Sequence, residues 1–509
     1  MNNSVGDRKS AYILDYFLPI ILVAITFMWY QNNNWSVLMG DDLIAVTGFK
    51  NLGFWGNLFC ADDIAMGKIR PIQKAMLYVV YYFCGIDYKA YYIVSRILVA
   101  IAAISFYLGS RKINGNRILS VGVAVLIVTC PFSAYGAWQY IGVSESFSLI
   151  CCVLYGVTAY KTIWCEDNLK NHIFLSIIFA LLIFNSERFM YICAVTILMI
   201  CINFGVKWRR KILYIFILIW PILLRSVLIK VLGSTSLGTG REDIGTLLST
   251  LVPYAIKGYI NMIGFSIGDD WHGGFSIVQL SPLILMISSL QLFIFMGVLF
   301  DVCRLTFVEK RKKYLSIIMW YLFSLTSLFS YALVGATHGE DRFLWVPYAF
   351  YLFALVDYAT KQLGDKKENN TTGKKSFKNI AWRVCTLGAC VIILVSNYYY
   401  FNLKTHVNFR YSQEMAETAK ESIELLEGFE NVENIAFVNP NDYSWVFYGN
   451  SFTSFYISES ANSYHYNSVD ELNKNRELLG DNTIVIYPDL SHDVPYGAKA
   501  YWINDFHEE

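Results

Sequence analysis

Two adjacent carboxylates, Asp41 and Asp42, stand in the stretch Met39-Gly40-Asp41-Asp42, a few residues beyond the first long apolar segment. Such a pair can act as a general base, or bind a divalent cation such as magnesium or manganese that neutralises a phosphate. The same residues also suit a solvated turn or a helix N-cap, where aspartate is common. A second pair, Asp62-Asp63, offers similar chemistry without an obvious framework to aim it. Opposite charge follows in GKIRPIQK, which carries Lys68, Arg70 and Lys74 around Pro71. Pro71 fits the first turn of a helix over 71–86, and a helix N-terminus flanked by cations is a ready anion site. A phosphate at the level of the lipid headgroups is the natural ligand, although snorkelling to those headgroups accounts for the same residues.

The elements that must position these groups are membrane helices. The 509 residues are 55% hydrophobic with a mean hydropathy of +0.40, and segments of roughly 20 apolar residues are each long enough for a hydrocarbon core of ~30 Å. Helices satisfy their own backbone polar groups where lipid cannot, so the expected class is an all-α polytopic membrane bundle. Eleven spans are expected, at 11–30, 90–109, 118–132, 144–160, 173–188, 189–205, 212–232, 276–300, 314–334, 343–360 and 382–402. The segment 74–86 is too short to cross and suits an interfacial or re-entrant helix. Lysine and arginine concentrate in alternate loops, at 111–117, 161–170, 207–211, 304–313 and 361–378, which puts the N-terminus on the cytoplasmic side. External loops 31–89 and 233–275 then lie outside, together with everything beyond 402.

Ionisable residues inside spans are costly and usually face a cavity or a partner. Arg96, Arg225, Glu145, Glu187, Arg188 and Arg342 all fall toward the outer ends of their spans, the side that carries Asp41 and Asp42. Asp15 and Asp357 fall toward the inner ends. An outward-facing polar cavity is the expectation, with mutual ion pairing of purely structural value as the alternative. His338 sits with Glu340, Asp341 and Arg342 just before a span, where it could carry a proton or simply be solvated. The loop 233–275 is Gly-rich and contains Arg241 and the run Asp269-Asp270-Trp271-His272; it could close over a substrate or merely connect.

Residues 403–509 differ in kind from 1–402. They hold 6 Lys+Arg against 18 Asp+Glu, a net −12, while the preceding 402 residues hold 35 against 22, a net +13. An amphipathic helix precedes Gly428, β-like runs occupy 434–438 and 483–487, and Ser468 starts a helix between them. The expectation is a small external α/β domain. Nine aromatic residues from Tyr443 to Tyr466 (Tyr443, Trp445, Phe447, Tyr448, Phe452, Phe455, Tyr456, Tyr464, Tyr466) could line a sugar groove or form the domain's own core. The 11 cysteines end at Cys390 and show no zinc-type spacing, which argues against a disulfide framework in this domain. Nothing in the charge pattern fits nucleic acid, and no nucleotide-binding, serine-hydrolase or zinc-protease motif occurs.

The first span followed by GDDLIAVTGFKNLGFW, then GKIRPI, Ser186-Glu187-Arg188, Asp341-Arg342-Phe343 and an external C-terminal domain, resembles the GT-C membrane glycosyltransferases. Within them it looks most like the bacterial glucosyltransferases that cause serotype conversion by decorating O-antigen. The resemblance implies a bacterial inner-membrane enzyme that transfers a hexose, glucose by this likeness, from a polyprenyl-phosphate-linked donor. The acceptor would be an O-antigen or other surface glycan in the periplasm, and a flippase and a donor synthase would be partners. It implies that Asp41 or Asp42 serves as base, with a divalent cation left open, and that Lys68, Arg70, Arg188 and Arg342 hold the donor phosphate. Glu145, Glu187, Arg96, Arg225 and His338 would line the polar cavity. An O-antigen polymerase or ligase, with Arg241 as a functional arginine, and a polyprenyl-linked sugar transporter are the competing readings. A transporter predicts inverted repeats and charges at mid-membrane, whereas these charges gather at one face.

Overall fold

The computed structural model describes residues 4–31, 37–38, 40–65, 68–85, 87–203, 205–232, 253, 255–263, 282–333, 341–368, 388, 391–395, 397–398, 417, 419–429, 432–438, 450–456, 461–489 and 497–505. The protein is a helical membrane bundle with a small α/β domain. α1 (Ser4–Trp29) leads into three helices of the segment 31–89: α2 (Gly40–Leu58), α3 (Ala61–Ala65) and α4 (Pro71–Cys84). The bundle continues with α5 (Tyr88–Asn114), α6 (Arg117–Thr129), α7 (Ala134–Trp138), α8 (Gly142–Trp164), α9 (Leu169–Asn185), α10 (Ile192–Ile202) and α11 (Trp208–Val231). α12 (Pro282–Cys303), α13 (Leu315–Leu333) and α14 (Trp345–Glu368) complete it. Among the described residues, five helical stretches are long and apolar enough to cross a membrane, and six if the pair Arg117–Thr129 and Pro131–Trp138, bent by 60°, is one span.

Local chemistry sets these boundaries. The Asp87 carboxylate accepts from Lys89 N–H at the head of α5, Asn116 does the same for α6 and Asn168 for α9, each covering an amide that the helix leaves open. α6 stops one residue before Cys130, which precedes Pro131 and is extended at φ −70°, ψ 149°; proline disfavours the helical conformation in the residue before it. The expected span 118–132 is therefore broken there. α10 has 11 residues, about 17 Å of helix, and is joined to α9 through a 3-10 turn, Glu187–Tyr191. α14 runs on past the expected end at 360 to Glu368. Buried Asp357 in its C-terminal half accepts from Lys361 at 2.9 Å and from Ser316.

Aromatic packing closes the bundle. Phe106 of α5 stacks on Phe353 of α14 with centroids 4.3 Å apart, and Trp320 of α13 meets the same ring at 4.9 Å. Trp345 is fully buried and donates from Nε1 to the Ile127 carbonyl at 3.1 Å.

The C-terminal α/β domain has a four-stranded sheet in the order β2-β1-β3-β4, built from β1 (Asn434–Val438), β2 (Asn462–Tyr466), β3 (Thr483–Asp489) and β4 (Gly497–Trp502). β1 runs parallel to β2 and β3, and β4 is antiparallel to β3. The β1–β2 crossover carries α15 (Asn450–Tyr456), and the β2–β3 crossover carries α16 (Val469–Leu479), capped by Ser468 as expected. Side chains alternate between faces. Ala436, Val438 and Val485 pack with Leu472 and Leu479 of α16. Ile435, Phe437, Ile484 and Ile486 belong instead to an apolar cluster that includes Phe452 and Phe455 of α15 and Leu43, Val46 and Phe49 of α2.

Candidate active site

The first turn of α2 separates the two adjacent carboxylates. Gly40 opens the helix at φ +56°, a conformation in which any other L-residue is strained. Asp41 follows and is exposed, whereas Asp42 is 1% exposed. The Asp42 carboxylate accepts from the backbone N–H of Tyr140 at 2.8 Å and of Ile141 at 2.9 Å. It therefore fastens α2 to the turn between α7 and α8. Burial raises the pKa of Asp42 to about 7, with Asp41 pushing the same way, while the two amide bonds and Arg342 push back. The pair does not fit a shared divalent cation, because both Asp42 oxygens face backbone donors and Asp41 points to solvent. No cluster of three metal-ligating side chains occurs among the described residues.

That turn leads directly into the charged cluster. Glu145 lies in the first turn of α8, one helical turn after Ile141, and pairs with Arg188 of the 3-10 turn. Arg70, at the N-cap of α4 just before Pro71, reaches Glu187 with two parallel bonds, Nε to Oε2 at 2.8 Å and Nη2 to Oε1 at 2.5 Å. Arg225 of α11 stands 3.6 Å from the same carboxylate. Gln73 of α4 donates to Ser144 at 3.1 Å, and Asn185 donates to the Ser144 carbonyl at 3.0 Å and to Ser148 at 2.8 Å. Glu145, Glu187, Arg188 and Arg225 are all buried. Among the described residues the cluster holds Arg70, Arg188 and Arg225 with Glu145 and Glu187, and the fork geometry of guanidinium suits phosphate.

Arg342 lies in the 3-10 turn Asp341–Leu344, its guanidinium 4.1 Å above the Tyr135 ring and 5.2 Å from that of Phe343. Arg188 also faces Phe343, at 5.9 Å, so the two arginines share one aromatic wall. Lys68 is half-buried in the loop before α4, with its amide bonded to the Asp63 carbonyl at 2.8 Å. Asp63 itself pairs with Lys74 at 2.9 Å, which gives the second acidic pair a structural partner. Arg96 is buried in α5 beside Tyr30 and Tyr92, whose hydroxyls bond Ser133 at 2.7 Å and the Val37 carbonyl at 3.1 Å. His338 and Arg241 lie outside the described residues, as do Tyr443, Trp445, Phe447 and Tyr448. Phe452, Phe455 and Tyr466 are buried in the C-terminal domain, while Tyr464 is 37% exposed.

Sequence reasoning missed Tyr140 and Ile141, which act through backbone amides and leave no mark on residue type. It also missed Gln73, Ser144 and Asn185, although a polar residue at the end of an apolar helix was a signal for Asn185. No protein-family model and no curated protein matches the sequence. Among solved structures, the apo oligosaccharyltransferase of Archaeoglobus fulgidus is similar at a TM-score of 0.49 and 11% identity, over 93% of this chain and 69% of that one. Apo ArnT from Cupriavidus metallidurans gives a TM-score of 0.47 at 8% identity over 97% and 98% of the two chains. The same enzyme bound to undecaprenyl phosphate gives 0.44 at 10% identity over 94% and 97%.

Proposed function

We propose that the protein is a GT-C-type glycosyltransferase of the bacterial inner membrane that moves a hexose from a polyprenyl-phosphate-linked donor to an O-antigen or other surface glycan on the periplasmic side. Glucose is the sugar we assign, on the sequence resemblance. The observation that carries the reading is the seating of exposed Asp41 on a helix turn fastened, through Asp42, to the segment that leads into the Glu145–Arg188 and Glu187–Arg70–Arg225 cluster.

In this reading the acceptor hydroxyl oxygen attacks the anomeric carbon and gives its proton to Asp41. The bond from that carbon to the phosphate oxygen breaks, and polyprenyl phosphate leaves with the electron pair. Arginine donors stabilise the charge as it develops on the leaving phosphate, so no separate acid is required. Asp42, held by two amides, positions Asp41 and does not itself meet the acceptor. Arg188 and Arg342 take the phosphate, with Arg70 and Lys68 at its edge, and Glu145 and Glu187 hold the arginines in place.

The test compares the composition of surface polysaccharide from cells with the protein, without it, and with Asp41→Asn. Loss of one hexose in the last two, with the variant present in the membrane at normal level, is the expected result. An Asp41→Asn strain whose polysaccharide matches wild type would remove Asp41 from the chemistry, and identical polysaccharide with and without the protein would sink the transfer reaction itself.

A further inference from the structure

We propose that the C-terminal α/β domain is part of the reaction centre, with Tyr456 as a positioning residue that fixes the entry of α2 and hence Asp41; this rests on the reading of Asp41 given above. The Tyr456 hydroxyl accepts from the Leu38 N–H at 2.7 Å and donates to the Leu38 carbonyl at 3.1 Å. Leu38 is fully buried two residues ahead of Gly40, so a single side chain satisfies both backbone groups of a residue that water does not reach. Further along α2, the Thr47 hydroxyl donates to the Ser451 carbonyl at 3.3 Å, Lys50 to the Ser454 carbonyl at 2.9 Å, and Asn51 to the Ser454 hydroxyl at 3.4 Å.

Residues 47, 50 and 51 share one face of a helix, and every one of these contacts goes to α15. Asp42 is held by the bundle instead. α2 is thus gripped from two directions, by the α7–α8 turn through Asp42 and by the external domain through Tyr456 and the α15 backbone. The gripped segment ends where α2 breaks, at Gly53 with φ +63°. The apolar side tells the same story, since Leu38, Leu43, Val46 and Phe49 share a buried cluster with Ile435, Phe437, Phe452 and Phe455. A domain that only presented an acceptor would not need to complete the burial of the helix that carries the base.

Tyr456→Phe removes both hydrogen bonds and leaves the ring contacts with Phe452 at 5.3 Å and Phe455 at 4.8 Å. Full-length wild type and Tyr456→Phe in lipid nanodiscs are compared by hydrogen–deuterium exchange, by binding of undecaprenyl phosphate, and by polysaccharide modification in cells. The expected result is exchange over 37–47 faster by about tenfold, with exchange over 462–489 unchanged. Binding of undecaprenyl phosphate stays within about twofold while modification falls about tenfold, a split that general unfolding would not give. Unchanged exchange over 37–47 would overturn the clamp. Faster exchange with full modification would overturn the positioning role, as would parallel loss of binding. Failure of the transfer reading shows separately, as an active Asp41→Asn variant, and leaves the exchange measurement to decide the clamp alone.

Discussion

Arg70 and Glu187, 117 residues apart in the chain, are joined by a bidentate pair of hydrogen bonds of 2.8 and 2.5 Å. The pair ties the N-cap of α4 to the 3-10 turn between α9 and α10, and Arg225 closes on the same carboxylate from α11. Lysine carries the charge of arginine but not its planar fork. Arg70→Lys is therefore expected to lower stability by about 1.5–3 kcal/mol, the range for a hydrogen bond to a charged group. Arg70→Met should lower it further, because Glu187 stays buried with one partner fewer. Thermal melts in a single detergent check both; equal melting temperatures for wild type and Arg70→Lys would show that the fork contributes nothing.

Asp42 gives a pH signature. Its pKa in the folded protein is raised to about 7 from a reference of 3.8, chiefly by burial. The folded state therefore holds a proton between those values that the unfolded state releases. Its contribution is fully present below the unfolded pKa and is lost as pH rises through about 7. Asp42→Asn removes this titration while keeping the shape. The melting-temperature advantage of wild type over Asp42→Asn is expected to be larger at pH 5 than at pH 8. An advantage that is flat across that interval, or that grows with pH, would contradict the assigned burial.

The outline of both halves was legible because hydrophobic period and charge placement report burial directly. The helices, the strands β1 and β3, the Ser468 cap and the start of α4 at Pro71 follow from such local signals. That Arg70, Glu187, Arg225, Glu145 and Arg188 would be paired was legible, since charges at the ends of apolar helices need partners. Which partner each would take was not. Arg188 pairs with Glu145, 43 residues away, although Glu187 is its neighbour in sequence. The two faces of the Asp41-Asp42 pair were also hidden, because Asp42 is held by amides. β2, with the sequence NSYHY, escaped because it has no β-branched residue and only one buried position. The packing of the C-terminal domain on α2 joins residues about 400 positions apart, and no local pattern announces it.

Gly142 opens α8 one residue after Ile141, in the segment that Asp42 fastens. A Cβ there would lie 2.2 Å from the Tyr135 carbonyl oxygen and 2.8 Å from the Gly136 Cα. Both are backbone atoms, so no rotamer change relieves the contact. Gly142→Ala is expected to push α7 away from α8 and to cost about 1–3 kcal/mol, with loss of polysaccharide modification although no charged group is touched. As a control, Gly122→Ala in α6 meets nothing within 4 Å and should leave folding and modification intact. If the two variants melt together, the close approach at Gly142 is not a constraint on the fold.

Arg342 supplies the most direct test of the donor-phosphate site proposed above. Its guanidinium lies over the Tyr135 ring at 4.1 Å, an arrangement in which the ring fixes the plane of the fork. Arg342→Lys keeps the charge but gives up the planar stack, and should weaken binding of undecaprenyl phosphate about tenfold, equivalent to ~1.4 kcal/mol. Tyr135→Phe preserves the ring face and should bind within about twofold of wild type. Tyr135→Leu removes it and should approach Arg342→Lys. Tryptophan fluorescence titrations at two ionic strengths separate this from simple charge attraction, because loss of the stack persists at high salt whereas a screened surface interaction fades. Wild-type affinity in Arg342→Lys at both salt concentrations would take Arg342 out of the phosphate site and leave Arg188, across the shared Phe343 ring, to carry that role.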